Sequence, residues 1–306
     1  MDAEAAVATT FFADRVAEAV EQKRSQLVVG LDPRLDLLPV ELRGDAHVAR
    51  SAAADAVARF CCGIVDAIAP HAVAVKPQLA FFEALGADGV RAFEQACEYA
   101  RSAGLLVIAD AKRGDIGSTA RAYGSAYLEG EKPVADAMTV NPYLGRDSLE
   151  PFFGACRRHG GGVFCLVKTS NEGGGDVQDV RLSDGGVLWQ HVARLVAEWG
   201  EDLVGEHGLS SVGAVVGATH PEELAAVRRL LPNVVFLVPG YGAQGGTAAD
   251  VAAAFLPDGL GAVVNNSRGI IASFRPDEPA WEVAVEAATH ATIAALAAAT
   301  PMGRLA

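Results

Sequence analysis

The segment 108–120, IADAKRGDIGSTA, places Asp110, Lys112, Arg113 and Asp115 within six positions, directly after the apolar run LLVI. Asp110 and Lys112 are two apart, so on a continued strand their side chains share a face. Lys76 ends another apolar run, AVAVKP. One reading is an alternating array: Lys76, Asp110, Lys112, Asp115. A lysine flanked by two carboxylates keeps its proton, because each negative charge favours the ammonium form. It can then act as a positioned proton donor. A carboxylate held between lysines stays ionised and can face a substrate anion that it would otherwise repel. The bland reading of the same charges is a salt-bridge rim of little energetic weight.

A second constellation lies toward the end of the chain. PGYGAQGG (239–246) and NNSRG (265–269) each follow an apolar run. Glycines allow close backbone approach to an anion, Arg268 offers a planar fork for phosphate oxygens, and Gln244 offers an amide donor. Each loop alone would read as a turn; the pair, with its Arg and Gln, reads as a phosphate site.

These residues need elements to hold them. Eight short aliphatic runs recur along the chain, at 26–32, 72–77, 105–110, 135–141, 163–168, 212–217, 234–239 and 260–265. They are nearly continuous in β-branched and aliphatic residues, as strands covered on both faces are. Amphipathic stretches separate them: Val57, Phe60, Cys61, Ile64, Val65 and Ile68 fall on one helical stripe, and Leu188, Val192, Leu195, Val196, Trp199 and Leu203 on another. The pattern predicts an α/β fold, a (β/α)8 TIM barrel, as one domain over residues 1–306. Chemistry in such a barrel sits at the C-terminal strand ends. Those ends are Asp32, Lys76, Asp110 with Lys112, Asn141, Lys168 with Ser170, and the two glycine-bearing loops. The polar stretch 171–186 follows the fifth strand, either as an active-site loop or as a surface excursion.

The chain has 38 acidic against 25 basic residues, a net charge of −13, which argues against nucleic acid or an anionic membrane as partner. Five cysteines (61, 62, 97, 156 and 165) form no CxxC or zinc-spaced cluster, so neither a disulfide framework nor a structural zinc is expected. The first twenty residues lack a secretory pattern, and no apolar run is long enough for a bilayer, so the expected location is cytoplasmic. His71, His159 and His220 receive no role.

Taken together, VGLDP (29–33), VKPQLAFFE (75–83), DAKRGDIGSTA (110–120), TVNPYLG (139–145), KTSN (168–171), PGYGAQGG (239–246) and SRGI (267–270) closely resemble the orotidine 5′-monophosphate decarboxylase family, longer bacterial type. The resemblance implies conversion of orotidine 5′-monophosphate (OMP) to UMP and CO2, the last step of pyrimidine nucleotide synthesis, with no metal and no organic cofactor. It implies that Lys112 protonates C6 of the pyrimidine, Asp110 lies against the substrate carboxylate, and Lys76 completes the array on the ribose side. Asp115, with Thr119 nearby, would serve the neighbouring subunit's site in a homodimer. Asp32 would bind ribose hydroxyls, Ser170 the pyrimidine amide edge, and Gln244 and Arg268 the phosphate. Ser267 stands where many relatives have glycine, and Tyr241 has no assigned role.

Three other readings use the same residues. Metal-dependent keto-gulonate-phosphate decarboxylases and hexulose-phosphate synthases resemble this scaffold, but place an acid where this chain has Lys76. A Schiff-base aldolase would use Lys76, Lys112 or Lys168 with a depressed pKa, against the pull of two aspartates. A non-catalytic phosphate-binding barrel would not need the charge array.

Overall fold

The computed structural model describes residues 10–219 and 221–301. Residues 1–9, His220 and residues 302–306 lie outside them. An opening helix, α1 (Phe12–Lys23), leads into β1 (Leu27–Leu31), α2 (Arg50–Ile68), β2 (Ala74–Pro77) and α3 (Gly86–Ser102). The chain continues through β3 (Leu106–Arg113), α4 (Gly117–Leu128), β4 (Ala137–Val140), α5 (Arg146–His159) and β5 (Gly162–Lys168). It closes with α6 (Leu188–Trp199), β6 (Ser210–Val216), α7 (Pro221–Leu230), β7 (Val234–Val238), β8 (Ala262–Asn266) and α8 (Trp281–Ala299). The eight strands pair in parallel, in sequence order, and β8 returns to β1 to close the barrel.

All eight expected strands form, with ends displaced by at most three residues. The α2 stripe is buried as anticipated, from Val57 to Ile68. The second stripe is shorter than its pattern: the helix stops at Trp199, and Leu203 packs from a following 3-10 turn, Glu201–Leu203. After β7 the glycine-rich loop is followed only by a helical turn, Ala248–Val251, and a 3-10 turn, Ala252–Ala254.

Helix α1 was not anticipated as an element. Phe12, Ala13, Val16, Ala17 and Val20 pack into one apolar cluster with the inward-facing Val28, Ala74, Ile108, Ala137, Phe164 and Val235. The helix thus plugs the N-terminal mouth of the barrel. Phe12 meets Phe164 edge-on at 5.8 Å. Gly162 makes this possible, since a Cβ there would lie 2.2 Å from the Phe12 ring. With one mouth sealed, the other is left for ligands.

Arg228 on α7 is buried, with no carboxylate paired to it among the described residues. Its guanidinium donates to the carbonyls of Ala254 (2.8 Å), Leu231 (2.7 Å), Val234 (2.9 Å) and Gly261 (2.6 Å), and lies 3.7 Å from the centre of the Phe236 ring. Burial lowers its pKa to about 10, still well above neutrality. One side chain therefore ties α7 to the starts of β7 and β8.

Candidate active site

At the C-terminal mouth a cavity of about 300 Å³ is lined by Asp32, Lys76, Asp110, Lys112, Ser170, Gln244 and Arg268, residues that six different strands or their following loops deliver. That volume is at the lower end of small-molecule sites.

Asp110 is its electrostatic centre. One carboxylate oxygen accepts from Lys76 Nζ (2.5 Å) and Gln78 Nε2 (2.9 Å). The other accepts from Thr139 Oγ1 (3.0 Å) and from Lys112 Nζ in a short ion pair. Burial would raise the Asp110 pKa, but Lys76 and Lys112 outweigh it and hold the carboxyl at about 2. It is therefore an anion at neutral pH. Lys76 is buried with it, whereas the Lys112 side chain stays 47% exposed toward the cavity.

The Asp110–Lys112 pair is not made by simple strand alternation. Lys112 has a left-handed backbone, φ +47°, and the pairing with β4 shifts between Ala109 and Arg113. A non-glycine residue held there carries strain of order 1–3 kcal/mol. The Lys112 N–H donates to Thr139 Oγ1 (2.9 Å), which in turn bonds Asp110. Thr139 thus fixes both members of the pair.

Asp32 Oδ1 is buried with no hydrogen-bond partner among the described residues, an acceptor left over at the cavity wall. Across the mouth, Ser170 Oγ donates to Gln244 Oε1 (2.8 Å), joining the β5 and β7 loops. The β7 loop is tightly folded on itself: Gly240, Gly242 and Gly245 all have positive φ, and Gly246 N donates to the Gly240 carbonyl (3.1 Å). Tyr241 lines the cavity from this loop, and Arg268 from the first turn of a short helix, Arg268–Ile271. Ser267 accepts from Asn265 Nδ2 (3.1 Å) and packs over Gly30, where a Cβ would approach its Oγ to 1.9 Å.

Residues 25–283 match the sequence model of the "Orotidine 5'-phosphate decarboxylase / HUMPS family". A curated relative named orotidine 5'-phosphate decarboxylase, from Rhodopirellula baltica, is 48% identical over 291 residues, covering 91% of this chain and 96% of its own. The chain belongs to this family. A second decarboxylase of that name, from Deinococcus radiodurans, is 45% identical over 262 residues, 86% of this chain and 89% of its own. The solved structure of Leishmania donovani OMP decarboxylase superposes with a TM-score of 0.76 at 34% identity, over 94% of this chain and 98% of that one.

Among the orotidine 5'-phosphate decarboxylase family features read in the sequence, Asp115 and Thr119 do not line this chain's cavity. Asp115 accepts from its neighbour's Ile116 N–H (2.8 Å), and Thr119 is exposed on α4. Asn141 is not in the cavity either; it accepts from Tyr143 N (3.0 Å) and shapes the turn after β4. Lys168 is also turned away. The pairing of β5 with β6 shifts between Leu166 and Lys168, so Leu166 lines the cavity while Lys168 pairs with Asp179 (2.5 Å) and Glu223 (3.4 Å). That ion pair, with Gln178 bonded to Thr169 through both its amide groups, ties down the 171–186 segment, which forms two short helical turns. Sequence reading missed Gln78 and Thr139. Gln78 had a signal, two positions beyond Lys76 and so on its face.

Proposed function

We propose that this chain, as one (β/α)8 domain, is a carboxy-lyase that converts OMP to UMP and CO2, and that its own charged side chains stabilise the reacting centre. As the bond from C6 to the carboxylate carbon breaks, CO2 departs and the electron pair stays on C6, in an orbital that the ring π-system cannot delocalise. The Lys112 ammonium, held by Asp110 and facing the cavity, supports that developing charge and then gives C6 its proton. Ionised Asp110 lies against the substrate carboxylate, and Lys76 and Gln78 keep it there. Asp32 Oδ1 takes a ribose hydroxyl, Ser170 the amide edge of the base, and Gln244 with Arg268 the phosphate. Phosphate binding lies far from the breaking bond, so it raises rate by holding base and charges in register.

The observation that carries this reading is the Lys76–Asp110–Lys112 cluster at one end of the cavity, with the glycine loop and Arg268 at the other. A metal-dependent phosphosugar enzyme would need an acid at the end of β2, and the residue there is Lys76.

The working unit is a homodimer with shared sites, acting in the cytoplasm. Asp115 sits on a rim where Ile116, Tyr143 and Leu144 are 59%, 83% and 48% exposed, apolar area of the kind that a second subunit covers. Its cysteines form no disulfides, which suits a reducing compartment. No helix among the described residues is long and apolar enough to cross a membrane.

The test is the absorbance change as OMP becomes UMP, followed with EDTA present. Lys112→Ala should lower kcat by at least about 10²–10⁴-fold, the contribution of one positioned proton donor. Absence of turnover by folded wild-type protein, or turnover unaffected by Lys112→Ala, would overturn the assignment.

A further inference from the structure

At the barrel end opposite the active site, three potential metal ligands from distant parts of the sequence converge. His71 lies in the turn between α2 and β2; Glu286 and His290 are one turn apart on α8. His71 Nε2 is 3.7 Å from Glu286 Oε1, and His290 Nε2 is 3.9 Å from the same oxygen. One ligand atom from each of the three lies within 4.8 Å of the other two. The imidazole rings are 4.1 Å apart, centre to centre.

These distances suit a small divalent cation better than they suit the bare side chains. Ligand atoms 2.0–2.1 Å from a tetrahedral zinc stand roughly 3.3 Å from one another. The carboxylate is slightly too far from each ring for a good hydrogen bond; a contraction of about half an ångström would bring it to zinc spacing from both imidazoles, and the two imidazole ligand atoms, within 4.8 Å of each other, would close by at most about 1.5 Å. Two imidazoles and a carboxylate form a donor set that favours zinc and its neighbours over magnesium or calcium, and leave a fourth position for water. The i, i+4 spacing puts Glu286 and His290 on one face of α8. The His71 turn is held in place independently: His71 N donates to the Ile68 carbonyl (2.9 Å), and Lys23 caps the carbonyls of Ala69 (2.9 Å), Ala72 (2.7 Å) and Gly104 (3.2 Å). The ligands therefore come from two anchored elements, which lowers the ordering cost of binding.

We propose that His71, Glu286 and His290 bind one divalent transition-metal ion, zinc by preference, as a staple between the last helix and the entry to β2. The site is structural and separate from decarboxylation. Its effect is to raise the unfolding temperature, because the ion binds the folded chain and not the separated ligands.

The experiment titrates ZnCl2 into the full chain after EDTA treatment and dialysis, by calorimetry and by thermal melting, with Co2+ absorption as a second readout. One Zn2+ per chain should bind, the melting temperature should rise, and Co2+ should show the visible bands of a four-coordinate N/O site. His71→Ala and His290→Ala should each weaken binding by at least about tenfold, since even groups that merely support a ligand contribute that much. The Glu286 and His290 side chains are 51% and 55% exposed, so Glu286→Gln and His290→Ala should fold with unchanged metal-free melting and unchanged OMP turnover. Absence of zinc uptake, or uptake that the three variants leave unaltered, would overturn the site.

Discussion

At Asp110 four donors converge on one carboxylate, and burial competes with two ammonium groups for its charge state. The ammonium groups win, lowering the pKa from 3.8 to about 2. A depressed carboxylate pKa stabilises the fold at pH above the unfolded value, and that stabilisation disappears as pH falls through the folded value. The wild-type advantage in urea over Asp110→Asn should therefore be constant above about pH 5 and shrink between about pH 4 and pH 2. At neutral pH the variant should lose up to ~3–5 kcal/mol, because Lys76 is left buried without its counter-charge. An advantage independent of pH across that window would show that the ionisation of Asp110 is not what stabilises the fold. The charge pattern at this residue was legible from the sequence as an acid two positions from Lys112, with Lys76 at the end of another apolar run, although the same charges also fit a salt-bridge rim. Thr139 was not legible. Its role depends on the left-handed turn at Lys112, which brings the Lys112 N–H to a hydroxyl on the next strand.

Among the elements, β1 and β8 meet behind the Arg268 end of the cavity, where Gly30 lies under Ser267. A methyl at residue 30 would meet the Ser267 hydroxyl at 1.9 Å, so the serine must move, and Arg268 with it. Gly30→Ala should raise KM for OMP several-fold with a smaller effect on kcat, and Gly30→Ala/Ser267→Gly should restore much of the loss. Failure of the second change to rescue would mean that the backbone of β1, rather than the serine, carries the strain. Strand positions were readable because buried parallel strands have nearly unbroken aliphatic runs. Helix α1 was harder to place. Its apolar spacing at Phe12, Val16 and Val20 is helical, but nothing local says that its partner is the barrel interior. Lys168 shows the same limit: it ends a strand like Lys76, and only the pairing shift beside it turns its side chain toward Asp179 and Glu223.

For the molecule as a whole, the proposed sharing of sites has a direct consequence. If Asp115 completes the neighbour's cavity, Lys112→Ala and Asp115→Ala dimers should each be nearly inactive, yet regain activity when subunits are exchanged. Random mixing in equal amounts puts half the chains in mixed dimers with one intact site each, so about a quarter of wild-type activity should return. No recovery, with exchange verified by mass, would confine each site to one chain. By itself the sequence determined the barrel, the strand ends that surround the cavity, and the lining residues Asp32, Lys76, Asp110, Lys112, Ser170, Gln244 and Arg268, because each is a local property: run length, residue type and position after a run. Tertiary structure decided what depends on contacts between distant segments. It set Asp110 among four donors, turned Lys168 outward, left Asp115 outside its own chain's cavity, and brought His71 to Glu286 and His290 from more than two hundred residues away in sequence. The physical reason is the same in each case: direction and distance between side chains follow from strand register, bulges and barrel closure, and none of these is written in any short stretch of residues.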